Sequence, residues 1–127
     1  MNYKIFISSV HEDSVVFKQL VNWGNQGLLG SGIFFTYETE DKRHEGDEAV
    51  RKYLKNKIEI CAAVLILIGN DTHNHNWIRI EAELANGFGK RIIVARIPGT
   101  NGAPPAILKN KPIIDFTYSS IRNAIIS

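Results

Sequence analysis

The run AAVLILIG, residues 62–69, decides the fold of this 127-residue chain. Its apolar residues follow one another without the alternation that marks a strand with one face in water. An uninterrupted run of this kind is typical of a strand in the middle of a parallel sheet, where both faces are buried. We therefore predict a central strand here, in a sheet that helices cover on both sides.

Short apolar runs and amphipathic segments alternate on either side of this strand. The other predicted strands are YKIFIS (3–8), GIFFTY (32–37), RIIVARI (91–97) and KPIIDF (111–116). The predicted helices are DSVVFKQLVNWGNQG (13–27), EAVRKYLKNKIEIC (48–61), HNHNWIRIEAELANGFGK (73–90) and SSIRNAIIS (119–127). Strands that alternate with helices imply parallel pairing, so we predict a three-layer α/β fold with a five-stranded parallel sheet. We expect residues 1–127 to form one domain, in which GTNGAPPAILKN (99–110) is a loop with at most one helical turn.

Composition and charge narrow the classes of function. Hydrophobic residues make up 44% of the chain and charged residues 22%, and the net charge is +2. The basic residues are scattered, so no stripe indicates nucleic-acid binding. No apolar run approaches the roughly 20 residues of a membrane span, and the N-terminus lacks a signal-peptide pattern. We expect a cytoplasmic protein with no nucleic-acid or membrane partner, in which the single cysteine, Cys61, is a buried core residue.

The ligand-binding edge of a parallel α/β sheet lies beyond the carboxyl ends of its strands, at the switch point of the winding. None of the segments at that edge carries a GxGxxG or GxxxxGK[ST] motif, so dinucleotide-fingerprint and P-loop chemistry are poorly supported. Ser8 and Ser9 stand where a receiver domain would have its acidic pair. The segments to search are 8–13, 37–46, 69–77 and 97–103.

The four histidines give little support to a metal site. His73 and His75 suggest a metal site together with His11 or His44, but the HxH pair supplies two ligands at most, and no acid or cysteine is anchored at a useful spacing. We predict no metal. The histidines then belong to polar loops, and Asn76 is the expected N-cap of the third helix.

Glu81 falls in the middle of the apolar side of the third helix. A carboxylate there loses hydration, so it needs a partner, a cavity or a use. Trp77 lies on the same side four residues earlier, where its indole would form the wall of a pocket with Glu81 as the polar group. The alternative is that Trp77 is ordinary core and that Glu81 pairs with a basic residue of a neighbouring loop. The opposite, polar face carries Arg79, Glu83, Asn86 and Lys90.

Two motifs resemble those of TIR domains. FISSVHED (6–13) resembles their first box, and the W-x-x-x-E of Trp77 to Glu81 resembles the segment that carries the catalytic glutamate of NAD-cleaving TIR proteins. LIGNDTHNHNWIRIE (67–81), with KRIIVARI (90–97), is similar to the short TIR-like proteins of bacterial Thoeris antiphage systems and their flavodoxin-like relatives. The departures are Ser9, where an aromatic is usual, and a loop at 38–49 without the proline-rich TIR signature. The resemblance covers almost the whole chain and implies a flavodoxin-like, TIR-like fold.

The resemblance also implies an NAD+ glycohydrolase or ADP-ribosyl cyclase, which releases nicotinamide and makes an ADP-ribose-derived, cyclic signal in antiphage defence. Glu81 is then the catalytic residue, a poorly hydrated acid at the lip of a cleft. NAD is the substrate, and no cofactor is implied. The implied partners are a separate effector protein that senses the product and a phage-derived activator, and the active form is self-associated. The residues implied to bind NAD are Ser8, Ser9, His11, Tyr37 and Trp77.

Two alternatives stay open at the level of sequence. One is a TIR-like interaction or scaffold module without catalysis, in which Glu81 is paired structurally. The other is a nucleoside deoxyribosyltransferase-like enzyme, which would also use one glutamate at a pocket beside the strand ends. The choice between hydrolysis, cyclisation and transfer of the ADP-ribose depends on where the next nucleophile lies, which residue spacing does not give.

Overall fold

The computed structural model describes residues 3–9, 14–36, 46–70 and 76–126. Five strands form one sheet in the order β2-β1-β3-β4-β5, and every neighbouring pair is parallel. This confirms the predicted α/β fold, with the 62–69 run at the centre of the sheet. The strands are β1 (Tyr3–Ser8), β2 (Ile33–Thr36), β3 (Ala63–Ile68), β4 (Arg91–Arg96) and β5 (Ile113–Asp115). The helices are α1 (Ser14–Asn25), α2 (Asp47–Glu59), α3 (Asn76–Gly87) and α4 (Tyr118–Ile126), and a 3₁₀ turn at Ala106–Leu108 precedes β5.

The strand β3 explains the three layers, because it is buried at every position. Its residues alternate between two apolar clusters. Val64, Ile66 and Ile68 pack with residues of α2 and α3, on what we call the α2–α3 face of the sheet. Ala63, Leu65 and Leu67 pack with residues of α1 and α4 on the opposite face. Both faces of the strand are therefore covered, and its sequence needs no polar residue.

Several elements are shorter than predicted, and for α3 and β5 the local reason is clear. Helix α3 ends at Gly87, and Gly89 follows with a φ of 67°, a left-handed conformation that terminates helices. Lys90 therefore lies beyond the polar face that the sequence assigned to it, and its Nζ donates to the carbonyl of Glu59 at 2.7 Å. Strand β5 begins only at Ile113, after Pro112, which has no N–H to donate to a sheet.

Two further predictions can be compared with the structure. Cys61 is 1% exposed, and its Sγ donates to the carbonyl of Lys57 at 3.2 Å. This burial confirms the prediction of a packed core residue, and it raises the pKa of the Cys61 thiol. Within the described ranges, no helix combines the length and apolarity needed to cross a membrane.

An ion-pair cluster joins α2 to α3 at their polar edges. Arg51 on α2 and Arg79 on α3 both donate to the Glu83 carboxylate, at 2.5 Å and 2.8 Å. The hydrogen bond from Arg51 is the largest cause that holds the pKa of Glu83 below its usual value, and Arg79 acts in the same direction. A lowered pKa in the folded state means that the ionised carboxylate favours folding.

We expect Arg51→Met to lower the free energy of unfolding by roughly 0.5–1 kcal/mol at pH 7, as is typical of partly exposed ion pairs. The Glu83 contribution is complete above the unfolded-state pKa, about 4.3, and is lost as the pH falls through the lower folded-state pKa. Urea denaturation at pH 7 and in acid should therefore show a difference that shrinks below about pH 4. Lys55→Met, which removes an exposed lysine of the same helix, is the control. A difference that persists unchanged in acid contradicts an ionic origin.

Candidate functional site

The winding of the sheet reverses between β1 and β3. The chain passes from β1 outward to β2 and returns to β3 on the other side of β1. The connections that leave the carboxyl ends of β1 and β3 therefore diverge, and in parallel α/β domains ligands bind in the crevice between them. Ser8 is the last residue of β1, and Gly69 comes directly after β3. The candidate site therefore lies at these two strand ends.

A hydrogen bond between Ser8 and Glu81 lies at this switch point. Ser8 has the same strand parity as Phe6, so its side chain is on the α2–α3 face. Helix α3 covers that face, and Ser8 Oγ donates to Glu81 Oε1 at 2.8 Å across 73 residues of sequence. Ser8 is 1% exposed and Glu81 2%. In the described part of the chain, these two are the buried polar side chains, and they are bonded to each other.

The other sequence candidates lie around this pair or outside the described residues. Trp77, one helical turn before Glu81, is half-buried and packs against the apolar cluster of the α2–α3 face. Ser9 follows β1 and is also half-buried. His11 and Tyr37 lie outside the described residues. The structure thus brings together Ser8 and Glu81, with Trp77 on the same side of α3.

The depth of Glu81 differs from the sequence expectation. Poor hydration is confirmed by its 2% exposure. The predicted position at the lip of a cleft is not confirmed, because a carboxylate this buried contacts a sugar ring only after neighbouring groups move. In the structure the hydroxyl of Ser8, which the sequence did not pair with Glu81, donates to this carboxylate at the end of β1.

Arg96 is a polar residue of this edge that sequence reasoning missed. It is the last residue of β4 and stands opposite Ile68 in the register, so its side chain starts on the α2–α3 face, as does that of Ser8. Its Nη1 donates to the carbonyls of Gly102 at 3.0 Å and Thr100 at 3.4 Å. The available signal was a charged residue that closes an apolar run directly before a segment at the ligand edge.

Residues 97–102, which we call the β4 loop, are bonded to the end of β3. Thr100 Oγ1 lies 2.6 Å from the carbonyl oxygen of Ile97 and 3.2 Å from that of Ile68, and donates toward both. The N–H of Asn101 donates to Asn70 Oδ1 at 2.9 Å. A Cβ added to Gly102 would lie 1.9 Å from the carbonyl oxygen of Gly69. The loop therefore approaches β3 as closely as only glycine allows.

We expect Gly102→Ala to lower the free energy of unfolding by about 1–3 kcal/mol, because the methyl group displaces a backbone carbonyl instead of a flexible side chain. Urea denaturation measures this loss. Gly87→Ala is the matched control, since a Cβ at Gly87 meets nothing within 4 Å. That variant should be neutral or stabilising, because alanine favours a helix over glycine. Equal stability of the two variants would contradict the close approach.

His11, His44, His73 and His75 all lie outside the described residues. Elsewhere, in the ranges that the structure covers, no three histidine, cysteine or acidic side chains group closely enough to hold a metal ion.

Comparisons with known proteins agree with this architecture. The family model described as "Thoeris protein ThsB, TIR-like domain" matches residues 6–102, a range that includes Ser8, Glu81 and Arg96. No curated protein matches the chain. Two similar solved structures are a TIR domain and a SEFIR domain. The TIR domain of the Toll-related receptor TRR-2 from Hydra magnipapillata has a TM-score of 0.61 at 18% identity, over 96% of this chain and 90% of its own. A prokaryotic SEFIR domain has a TM-score of 0.56 at 15% identity, over 98% and 88%.

A third solved structure shows how far the fold extends beyond such domains. A 3-dehydroquinate dehydratase-like protein from Bifidobacterium longum has a TM-score of 0.51 at 15% identity, over 99% of this chain and 94% of its own. Identities this low show a shared fold and leave function to the site itself.

Proposed function

Because the chain belongs to the family of the Thoeris protein ThsB, TIR-like domain, we propose that it cleaves NAD and releases nicotinamide. Family membership points to a Thoeris-type role in antiphage defence. In the proposal, the product is an ADP-ribose-derived, cyclic signal that a separate effector protein senses. The observation that carries the proposal is the buried Glu81 carboxylate, bonded to Ser8 at the β1–β3 switch point.

The proposed chemistry needs one carboxylate. The bond between the ribose C1′ and the nicotinamide nitrogen breaks, and its electron pair stays on that nitrogen. The positively charged ring becomes neutral nicotinamide, so no acid has to protonate the leaving group. Positive charge develops on the ribose as it passes through an oxocarbenium-like state, as in glycoside hydrolysis. Glu81, placed beside the ribose, would offset that charge. For the cyclic product, a nucleophilic group of the same ADP-ribose unit then bonds to C1′ and releases its proton to solvent; for hydrolysis, water does the same.

Burial strengthens this effect. A charge interaction in a poorly hydrated site is several-fold stronger than the same interaction in water. The hydroxyl of Ser8 fixes one oxygen of the Glu81 carboxylate at 2.8 Å. A carboxylate that is already oriented needs no reorganisation as the charge develops on the substrate, which is the usual source of electrostatic catalysis. Ser8 is therefore a positioning residue in this proposal, and the half-buried indole of Trp77 is a surface for the nicotinamide or ribose.

The same burial supports a resting state. At 2% exposure, Glu81 contacts a ribose only if the groups around it move. An enzyme that consumes NAD is harmful to the cell when it is always active. We propose that a phage-derived activator and self-association supply the free energy for this opening, since a ligand shifts such an equilibrium only through its preference for one state.

The test is to incubate the purified chain with NAD, with and without extract of phage-infected cells, and to follow free nicotinamide by chromatography. We expect nicotinamide and an ADP-ribose-derived product to form in equal amounts. A parallel reaction contains a deoxynucleoside and a free base. Base exchange without NAD cleavage would replace the proposal with a deoxyribosyltransferase activity. If neither reaction occurs even with the extract, the scaffold alternative is favoured.

A further inference from the structure

Arg96 forms no ion pair within the described part of the chain, although Asp115 stands opposite it in the register of β4 and β5. It is half-buried, and its hydrogen bonds in the described part of the chain go to two neutral carbonyl groups, those of Thr100 and Gly102. Partial burial of a cation costs free energy when no anion compensates it. An anionic ligand at this position would supply the missing compensation.

The position of Arg96 relative to Ser8 suits a ligand that spans both. The two residues end strands on the same face of the sheet, with β3 between those strands. Two strand spacings separate them by about 10 Å across the sheet. Ser8 is level with Ile66, and Arg96 is level with Ile68, which adds about 7 Å along the strands. One ribose, together with the long side chain of arginine, fills that separation.

The β4 loop fixes the orientation of the guanidinium group. Both carbonyl bonds use Nη1. The loop is itself attached to β3 through Thr100 and Asn101, so the anchor is part of the sheet edge. Arginine binds phosphate through a planar pair of N–H groups. A guanidinium group that is already held in place loses less conformational entropy when it binds, so its affinity for phosphate is higher. In the described residues, Nε and Nη2 of Arg96 make no hydrogen bond that would occupy the remaining edge of the plane.

We propose that Arg96 binds the diphosphate of the dinucleotide and makes the site select a dinucleotide over a nucleoside. The inference rests on the proposed function for the identity of the ligand. With the ribose next to Glu81, the 5′ carbon leads to the diphosphate on the β4 side of the crevice. Arg96 is a specificity-determining residue in this arrangement, and it takes no part in breaking the bond to nicotinamide.

Binding of ADP-ribose and of adenosine to the full chain tests the proposal by isothermal titration calorimetry. ADP-ribose has the diphosphate and adenosine lacks it. We expect Arg96→Met to weaken ADP-ribose binding by about 10–100-fold, the loss typical of charge-assisted hydrogen bonds, and to leave adenosine binding unchanged. Arg96→Lys should be intermediate, since lysine keeps the charge and loses the fork. In turnover of NAD, Arg96→Met should raise KM far more than it lowers kcat.

Two controls separate charge from loop structure. Thr100→Val removes the hydroxyl that attaches the same loop to β3 and keeps the arginine. Arg122→Met removes an exposed positive charge from α4. The proposal is overturned if Arg96→Met binds ADP-ribose within twofold of wild type, if it leaves the KM for NAD unchanged under activating conditions, or if Thr100→Val weakens ADP-ribose binding as much as Arg96→Met does.

The two proposals fail in different ways. ADP-ribose binding requires no bond cleavage. A chain that binds ADP-ribose through Arg96 and never cleaves NAD contradicts the proposed function and supports the role of Arg96. A chain that cleaves NAD with the same KM in wild type and Arg96→Met supports the proposed function and contradicts the role of Arg96.

Discussion

Replacing Glu81 with glutamine is expected to lower the rate of nicotinamide release by about 10²–10³-fold or more, the effect of removing one preorganised electrostatic group from an active site. Glutamine has nearly the same shape as glutamate and lacks the negative charge that would offset the developing oxocarbenium ion. The rate is measured as free nicotinamide formed from NAD under the conditions in which wild type is active.

The same variant should keep its fold. The amide Oε1 of glutamine can still accept the hydrogen bond from Ser8, so the melting temperature is expected to stay within a few degrees of wild type. Glu83→Gln is the matched control, because Glu83 is on the same helix and pairs with Arg51 and Arg79 on the polar side. It should retain nicotinamide release. If Glu81→Gln unfolds the chain, the alternative in which Glu81 has only a structural role is supported. If the variant remains fully active, the catalytic acid is another residue.

Replacing Phe6 with alanine is expected to lower the free energy of unfolding by about 3–5 kcal/mol, the largest stability change proposed for this chain. Phe6 is 0% exposed in β1 and packs in the cluster between the sheet and α2–α3. Its removal leaves a cavity that the β-sheet backbone on either side is too rigid to fill. Such a loss is a large part of the total stability of a domain of this size. Urea denaturation followed by tryptophan fluorescence measures it.

A second phenylalanine provides the control for this experiment. Phe34 lies on the neighbouring strand β2 and is 51% exposed. Phe34→Ala removes the same side chain from a site that is already open to water, so we expect a change of about 1 kcal/mol or less. Similar losses in the two variants would contradict the assignment of Phe6 to the core.

The architecture could be predicted because it depends on local patterns. The unbroken apolar run at 62–69 required a strand with two covered faces, and the flanking periodicities supplied the helices that cover them. The ends of the helices and strands were harder to predict from the sequence. Helix α3 stops at Gly87 because Gly89 adopts a left-handed conformation, and two glycines two residues apart offered no means of choosing between an internal and a terminal position.

The candidate site could be predicted only in part. The position of Glu81 in an apolar stripe indicated an unusual carboxylate, and the predicted parallel sheet implied that Glu81 lies near the strand ends. Its partner was hidden, because Ser8 is 73 residues away and the register of β1 against β3 decides whether the two meet. Arg96 did carry a local signal, as a charged residue that closes an apolar run. Its hydrogen bonds to the carbonyls of Thr100 and Gly102 depend on the conformation of the β4 loop, which the residue types alone do not give.

The order of strands in the sheet also has a consequence for synthesis of the protein on the ribosome. No two neighbouring strands are connected by a hairpin, since every pairing is parallel and every connection crosses over. Such topologies close late and slowly in folding. A growing polypeptide that has emerged only as far as β3 contains the serine but not the glutamate of the buried pair. Under the proposed function, nascent chains at that stage therefore lack the acid needed to cleave the dinucleotide, however many of them a translating cell holds.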